Sequence, residues 1–276
     1  MVRPLRRYGM SSLARQHNPL VRHGVDCQSP AKHRFDRGMC VRVVRCTMVQ
    51  HASIRALPVI LGRVRRVFDV DADIDRIHTH LSQDLFMAVL VQARPGLRAP
   101  GGWDGFELAV RAVLGQQVTV VAARRLAARL VQICGARVAV KAGGLSHCFP
   151  TAEQVLAADL STLGMPGARK NALKALAQAT LADSDLFCVS DSIDDTVKRL
   201  CAIPGIGEWT AHYIALRAVR ETDAFPASDV GLLRSMAENG ERPTPAQLLR
   251  RAEAWRPWRA YAAQHLWAAD PDFLDT

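Results

Sequence analysis

Asp229 occupies the position with the strongest promise of bond-breaking chemistry. It lies in Ala224-Phe-Pro-Ala-Ser-Asp-Val-Gly-Leu-Leu-Arg234, after a proline-bearing turn and at the start of an apolar run. Aspartate is a favoured helix N-cap, and that role alone accounts for many such residues. The same location keeps a carboxylate ionised, because the helix dipole and the free N–H groups favour the anion. An ionised carboxylate is what an oxocarbenium-like transition state needs beside it.

About twenty residues upstream lies the turn Pro204-Gly205-Ile206-Gly207, which opens the run Glu208-Trp-Thr-Ala-His-Tyr-Ile214. A glycine turn at a helix start exposes backbone N–H groups that can grip a phosphate, and glycine permits φ > 0 and close ligand approach. Gly205, Ile206, Gly207 and Thr210 are the candidate phosphate contacts. The carbonyls of Cys201, Ile203 and Ile206 can hold a monovalent cation at the same turn. A bare glycine turn is more often a plain helix connection; the flanking Trp-Thr-Ala and the following aspartate favour the functional reading.

Aromatic residues gather late, at Trp209, Tyr213, Trp255, Trp258, Tyr261 and Trp267. Aromatic faces stack extruded bases and attract cations, although single aromatics are more often core. Trp209 and Tyr213 are four residues apart and share a helix face, so they can wall one pocket. In Trp255-Arg-Pro-Trp-Arg-Ala-Tyr261 two arginines alternate with rings, which suits a packing corner or a DNA-facing surface equally. Gln116 and Gln117 lie in a turn between two helices. An amide there can fill the gap left by an extruded base or simply tie down its own loop.

Helices must position these groups. Leu57, Ile60, Leu61, Val64, Val67 and Phe68 give one apolar helical face. A second helix is predicted over 73–83, ending before the loop 93–103. Asp104 caps a helix through Phe106, Val110, Val113 and Leu114, and 118–133 forms the next. Residues 134–149 read as irregular. Thr151-Ala-Glu-Gln154 resembles a capping box for 152–158. Helices follow over 168–182 and over 193–201 behind Ser192, and helices dominate to Trp267. The β-branched run 40–50 suits one strand. No alternating strands are expected after residue 50, so the main body is predicted to be all-α.

The chain has 276 residues, 49% of them apolar, and a net charge of +10. Residues 1–50 hold ten Arg or Lys against Asp26 and Asp36, a contribution of +8, which leaves about +2 for the other 226 residues. DNA binding by the main body therefore has to rest on its site and not on bulk charge. Seven scattered cysteines fit a reducing, cytoplasmic compartment better than a disulfide scaffold. No stretch approaches the ~18 apolar residues of a membrane span. HExxH, Walker A and CxxC motifs are absent, so metal hydrolysis and NTP use are unsupported. No cysteine follows Cys201, which excludes a C-terminal four-cysteine iron–sulfur cluster. Residues 1–39 are basic and aperiodic. They suit a disordered arm or misassigned start, an organellar transit peptide, or a zinc site from Cys27, Cys40, Cys46 and a histidine.

The sequence resembles the DNA-3-methyladenine glycosylase II family of the helix-hairpin-helix glycosylase superfamily, over roughly residues 56–270. The resemblance rests on 93–120, Leu163-Gly-Met-Pro-Gly-Ala-Arg-Lys-Asn-Ala-Leu173, 200–218, Asp223-Ala-Phe-Pro-Ala-Ser-Asp-Val-Gly-Leu232 and 252–267. It implies a helix-hairpin-helix at about 194–216, with Gly205 and Gly207 at the phosphate, and two helical subdomains with the active site between them. It implies Asp229 as the catalytic carboxylate, an aromatic base pocket of Trp209, Tyr213 and Trp267, and an intercalating wedge at Gln116 and Gln117. The implied partner is duplex DNA carrying alkylated bases, bound by a monomer at the nucleoid without zinc or an iron–sulfur cluster. Strand-cutting members place a lysine immediately before Thr-Ala; Trp209 stands there instead, which implies a monofunctional glycosylase. Related proteins carry a β-rich N-terminal subdomain, which only about 40–70 resembles here, whereas 1–39 does not. A division into 1–39, 40–92 and 93–276 follows. A DNA-binding protein with weak or no turnover is the alternative that such a truncation allows.

Overall fold

The computed structural model describes residues 54–142 and 145–270. The arm at 1–39, the zinc site weighed at Cys27, Cys40 and Cys46, and the strand expected at 40–50 lie outside these residues.

The chain forms helices wherever an apolar stripe meets a capping side chain. α1 (Leu57–Phe68) has Pro58 in its first turn and stops at Asp69, which adopts left-handed φ 54°. The aspartates before α2 (Ile74–Leu81), α3 (Leu85–Ala93) and α4 (Gly105–Leu114) each accept a backbone N–H within 3.1 Å. Thr119 caps α5 (Val120–Cys134). Thr151 and Gln154 complete the anticipated capping box at α6 (Ala152–Ala157). Then come α7 (Gly167–Ala182), α8 (Ile193–Cys201) and α9 (Glu208–Ile214). α9 runs straight into a π-helical turn, Ala215–Val219. α10 (Val230–Ser235), α11 (Pro245–Ala252) and α12 (Arg259–Ala269) complete the order.

Two local expectations need correction. The single helix predicted over 73–83 is the shorter α2, and α3 follows it unpredicted. Leu85-Phe-Met-Ala-Val-Leu-Val is nearly uniformly apolar and so carries no amphipathic period, although Met87 and Val91 are buried while Leu85 and Val89 are exposed. Residues 134–149 are also not merely irregular. They contain an antiparallel hairpin of β1 (Arg137–Ala142) and β2 (Leu145–His147), with Arg137 opposite His147 and Ala142 opposite Leu145. This pair is too short to yield a clear two-residue alternation, and it leaves the main body otherwise helical.

The helices gather in two clusters. α4 packs against α5, α7 and α9, and α9 packs against α8. α2 packs on α3, which packs on α12, and α10 joins α12. Leu114, Leu173, Leu200 and Ile214 are buried in the first cluster and Ile77, Leu81, Met87, Trp255 and Leu266 in the second, within one continuous core. The early helices therefore share a core with the last ones, and 105–219 is inserted between them. The mouth between the clusters is where α9, α10 and α12 converge.

Candidate active site between two helical clusters

Asp229 caps α10. Its Oδ1 accepts the N–H groups of Gly231 and Leu232 at 2.9 and 3.2 Å. The same oxygen accepts Trp267 Nε1–H at 2.8 Å, and Oδ2 accepts Trp209 Nε1–H at 2.9 Å. Two indoles, one from each helical cluster, thus hold one carboxylate. Oδ1 takes three of the four bonds, which leaves Oδ2 with room for a further partner. Gly231 makes this closeness possible, because a Cβ there would lie 3.1 Å from Asp229 Oδ1 and 3.2 Å from Trp267 Cδ1. Ser235 Oγ–H donates to Leu266 O at 2.7 Å and Arg234 pairs with Asp270 at 2.7 Å, which braces α10 on α12.

The three expected pocket rings lie together, and Trp209 and Tyr213 share one wall. They stack on each other at 5.5 Å and 17°, leaving no base-thick gap between them. Trp267 meets Tyr213 edge-on at 6.3 Å. One compound wall therefore faces Trp267 across the carboxylate. Trp255, Trp258 and Tyr261 belong elsewhere. Trp255 is buried and donates to Asp84 Oδ2 at 3.0 Å. Arg256 and Arg259 both pair with Asp223 and Glu253. The tract Trp255–Tyr261 is thus a packing corner.

At the hairpin the candidate contacts divide. Gly205 has φ 86°, and a Cβ there would approach Ala172 Cβ to 2.4 Å, so this glycine lets α7 pack against the turn. Gly207 faces open space at the N-terminus of α9. Ile206 is buried and its N–H already donates to Ile203 O at 3.0 Å. Thr210 is buried, and its Oγ1 accepts Gln116 Nε2–H at 3.0 Å. Ile206 and Thr210 thus stabilise the turn from within and do not present side chains to a phosphate. Gln116 also donates to Gly205 O at 3.1 Å, so its amide fastens the interhelical turn to the hairpin and is not free to intercalate. Gln117 is exposed, with φ 54°, at the tip of that turn.

A family profile described as HhH-GPD superfamily base excision DNA repair protein matches residues 110–260, more than half of the chain. The chain belongs to this superfamily. A second profile, the AlkA N-terminal domain, matches residues 28–104. That match takes in residues 28–39, part of the segment expected not to resemble this subdomain. The HhH-GPD chain is 39% identical over 210 residues to DNA-3-methyladenine glycosylase 2 of Escherichia coli, covering 75% of this chain and 70% of that one. This likeness puts it in the DNA-3-methyladenine glycosylase family. It is also 42% identical over 227 residues to a probable bifunctional transcriptional activator/DNA repair enzyme AlkA of Mycobacterium tuberculosis. That match covers 81% of this chain but only 45% of the relative, so the chain spans about half of that protein's length. The 3-methyladenine DNA-glycosylase of Archaeoglobus fulgidus shares the fold, with a TM-score of 0.70 at 23% identity over 81% of this chain and 78% of that one.

One further side chain lies against the rings around Asp229 without having been expected there. Arg217 places its guanidinium 5.2 Å from the Trp267 ring centre and 5.9 Å from that of Tyr213. A signal was available, since 209, 213 and 217 follow at four-residue spacing.

Proposed function

We propose that the chain is a monofunctional DNA glycosylase of base excision repair. In this reading it rotates an alkylated base, of the 3-methyladenine or 7-methylguanine kind, out of duplex DNA and hydrolyses its N-glycosidic bond. The observation that carries this reading is the Asp229 carboxylate held by the indole N–H groups of Trp209 and Trp267. Alkylation at N3 or N7 makes the base cationic, so it departs without a strong general acid. Positive charge then develops on the sugar, and a carboxylate pinned in advance stabilises it without reorganising. Oδ2, with its spare lone pair, is the atom to face C1′ or the attacking water.

The hairpin supplies the hold on DNA. The open face of Gly207 at the start of α9 suits a phosphate, aided by the helix dipole. Ile203 O accepts one hydrogen bond and keeps a second lone pair, so the carbonyls of Cys201, Ile203 and Ile206 fit a monovalent cation at the same turn. Gln117 is the candidate wedge. Trp209 stands before Thr210-Ala211 with its N–H committed to Asp229, so no amine is offered there for a Schiff base. The protein acts as a monomer on nucleoid DNA in the cytoplasm, without zinc or an iron–sulfur cluster.

The test is incubation of the purified protein with methylated duplex DNA and detection of free bases. Wild type releases 3-methyladenine, and borohydride traps no protein–DNA adduct. Asp229→Asn still binds the duplex but loses roughly 10²–10³-fold or more in release rate. Release at the wild-type rate by that variant would refute the role of Asp229.

A further inference from the structure

Arg217 extends the pocket face. In an uninterrupted α-helix a residue eight positions beyond Trp209 would have drifted about 80° off its line. The π-helical turn over Ala215–Val219 is wider, and it keeps Arg217 in register with the rings. Both ends of the residue are pinned. Its Nη1–H donates to Pro100 O at 2.9 Å, and its carbonyl accepts Gly102 N–H at 2.8 Å. Among the described residues no carboxylate pairs with it; its charge meets two ring faces, the Pro100 carbonyl and a hydrogen bond with the Tyr213 side chain, with the like charge of Arg220 nearby. Burial accordingly pushes its pKa below the ordinary arginine value.

A fixed cation here changes how the rings treat a base. The faces of Tyr213 and Trp267 already serve a guanidinium, so they offer less to a second cation. A cationic alkylated base meets like charge one ring away. A neutral modified base meets the opposite situation as it leaves. When C1′–N breaks, both electrons depart with that base, and its developing negative charge is stabilised by the guanidinium. Water then adds hydroxide to C1′, and its proton ends on the released base.

We propose that Arg217 is a specificity-determining residue of the base pocket, favouring neutral modified purines over cationic ones. This rests on the glycosylase reading above. The experiment uses two matched duplexes, one with a single 7-methylguanine and one with a single hypoxanthine, and single-turnover release rates. In Arg217→Gln the ratio of hypoxanthine to 7-methylguanine release falls roughly tenfold or more, the scale of losing one partly screened charge at this separation. Arg217→Lys keeps the charge but loses the flat guanidinium face, and gives an intermediate ratio. An equal fall for both bases in Arg217→Gln marks a merely structural residue and overturns the proposal. If the glutamine variant does not fold, a wild-type ratio in Arg217→Lys overturns it. A wild-type protein that releases neither base refutes the glycosylase reading itself, which is a distinguishable result.

Discussion

Trp209 and Trp267 each do two jobs, and the two can be separated. Their rings are the proposed faces of the base pocket, while their N–H groups hold the Asp229 carboxylate at 2.9 and 2.8 Å. Phenylalanine keeps an aromatic face and removes the donor. A hydrogen bond to a charged group is worth about 1.5–3 kcal/mol. Trp267→Phe is therefore expected to slow base release about 10–100-fold, while affinity for the duplex stays near wild type. A variant that loses affinity and keeps its single-turnover rate would show that the indole matters for stacking alone. Trp209→Phe provides the same comparison from the other helical cluster.

At the scale of elements, α12 carries Trp267 toward Asp229 and His265 toward α2. His265 is fully buried, with Nε2 3.4 Å from His78 Nε2 across the contact with α2. Burial first, then the neighbouring His78 and Arg94, pushes the His265 pKa from 6.5 down to about 4. Burial also lowers His78. Between pH 6.5 and 4 the unfolded chain binds a proton at residue 265 that the folded chain refuses. Stability is therefore undiminished above that window and falls with acid within it, by roughly 3 kcal/mol in total. Melting temperatures at pH 7 and pH 5 should differ clearly in wild type and less in His265→Gln. An identical acid shift in both proteins would remove His265 as the cause.

Across the whole molecule, Asp69 joins three parts that are distant in sequence. It ends α1, accepts Arg220 Nη2–H at 2.5 Å and Ala99 N–H at 3.1 Å, and also bonds the Tyr261 hydroxyl. Burial and Asp69 together raise the Tyr261 pKa. Arg66 adds a bond to Ala218 O within the π-helical turn. The region matched by the N-terminal domain profile is thus tied both to the turn that presents Arg217 and to α12. Asp69→Ala strands Arg220 without its carboxylate and should cost about 3 kcal/mol, read as a lower melting temperature. Asp71→Ala is the control. Its pair with Arg65 is well exposed and screened by solvent, so its loss should leave the melting temperature close to that of wild type. Equal effects from the two substitutions would contradict the clamp.

Much of this molecule can be read from local pattern. The caps at Asp104, Thr151 and Ser192, the helices they open, the glycine hairpin and the aspartate before α10 all follow from residue type and spacing, because capping and helical periodicity act within a few residues. α3 escaped because a uniformly apolar helix has no period, and the β-hairpin because it is short. What sequence pattern could not decide was which polar groups meet across the fold. That Gln116 serves Thr210, that both indoles turn their N–H groups onto Asp229, and that Arg217 lies on the ring of Trp267 depend on α4, α9, α10 and α12 converging from far apart in the chain. Such contacts are set by the packing of two helical clusters, and no run of neighbouring residues encodes them.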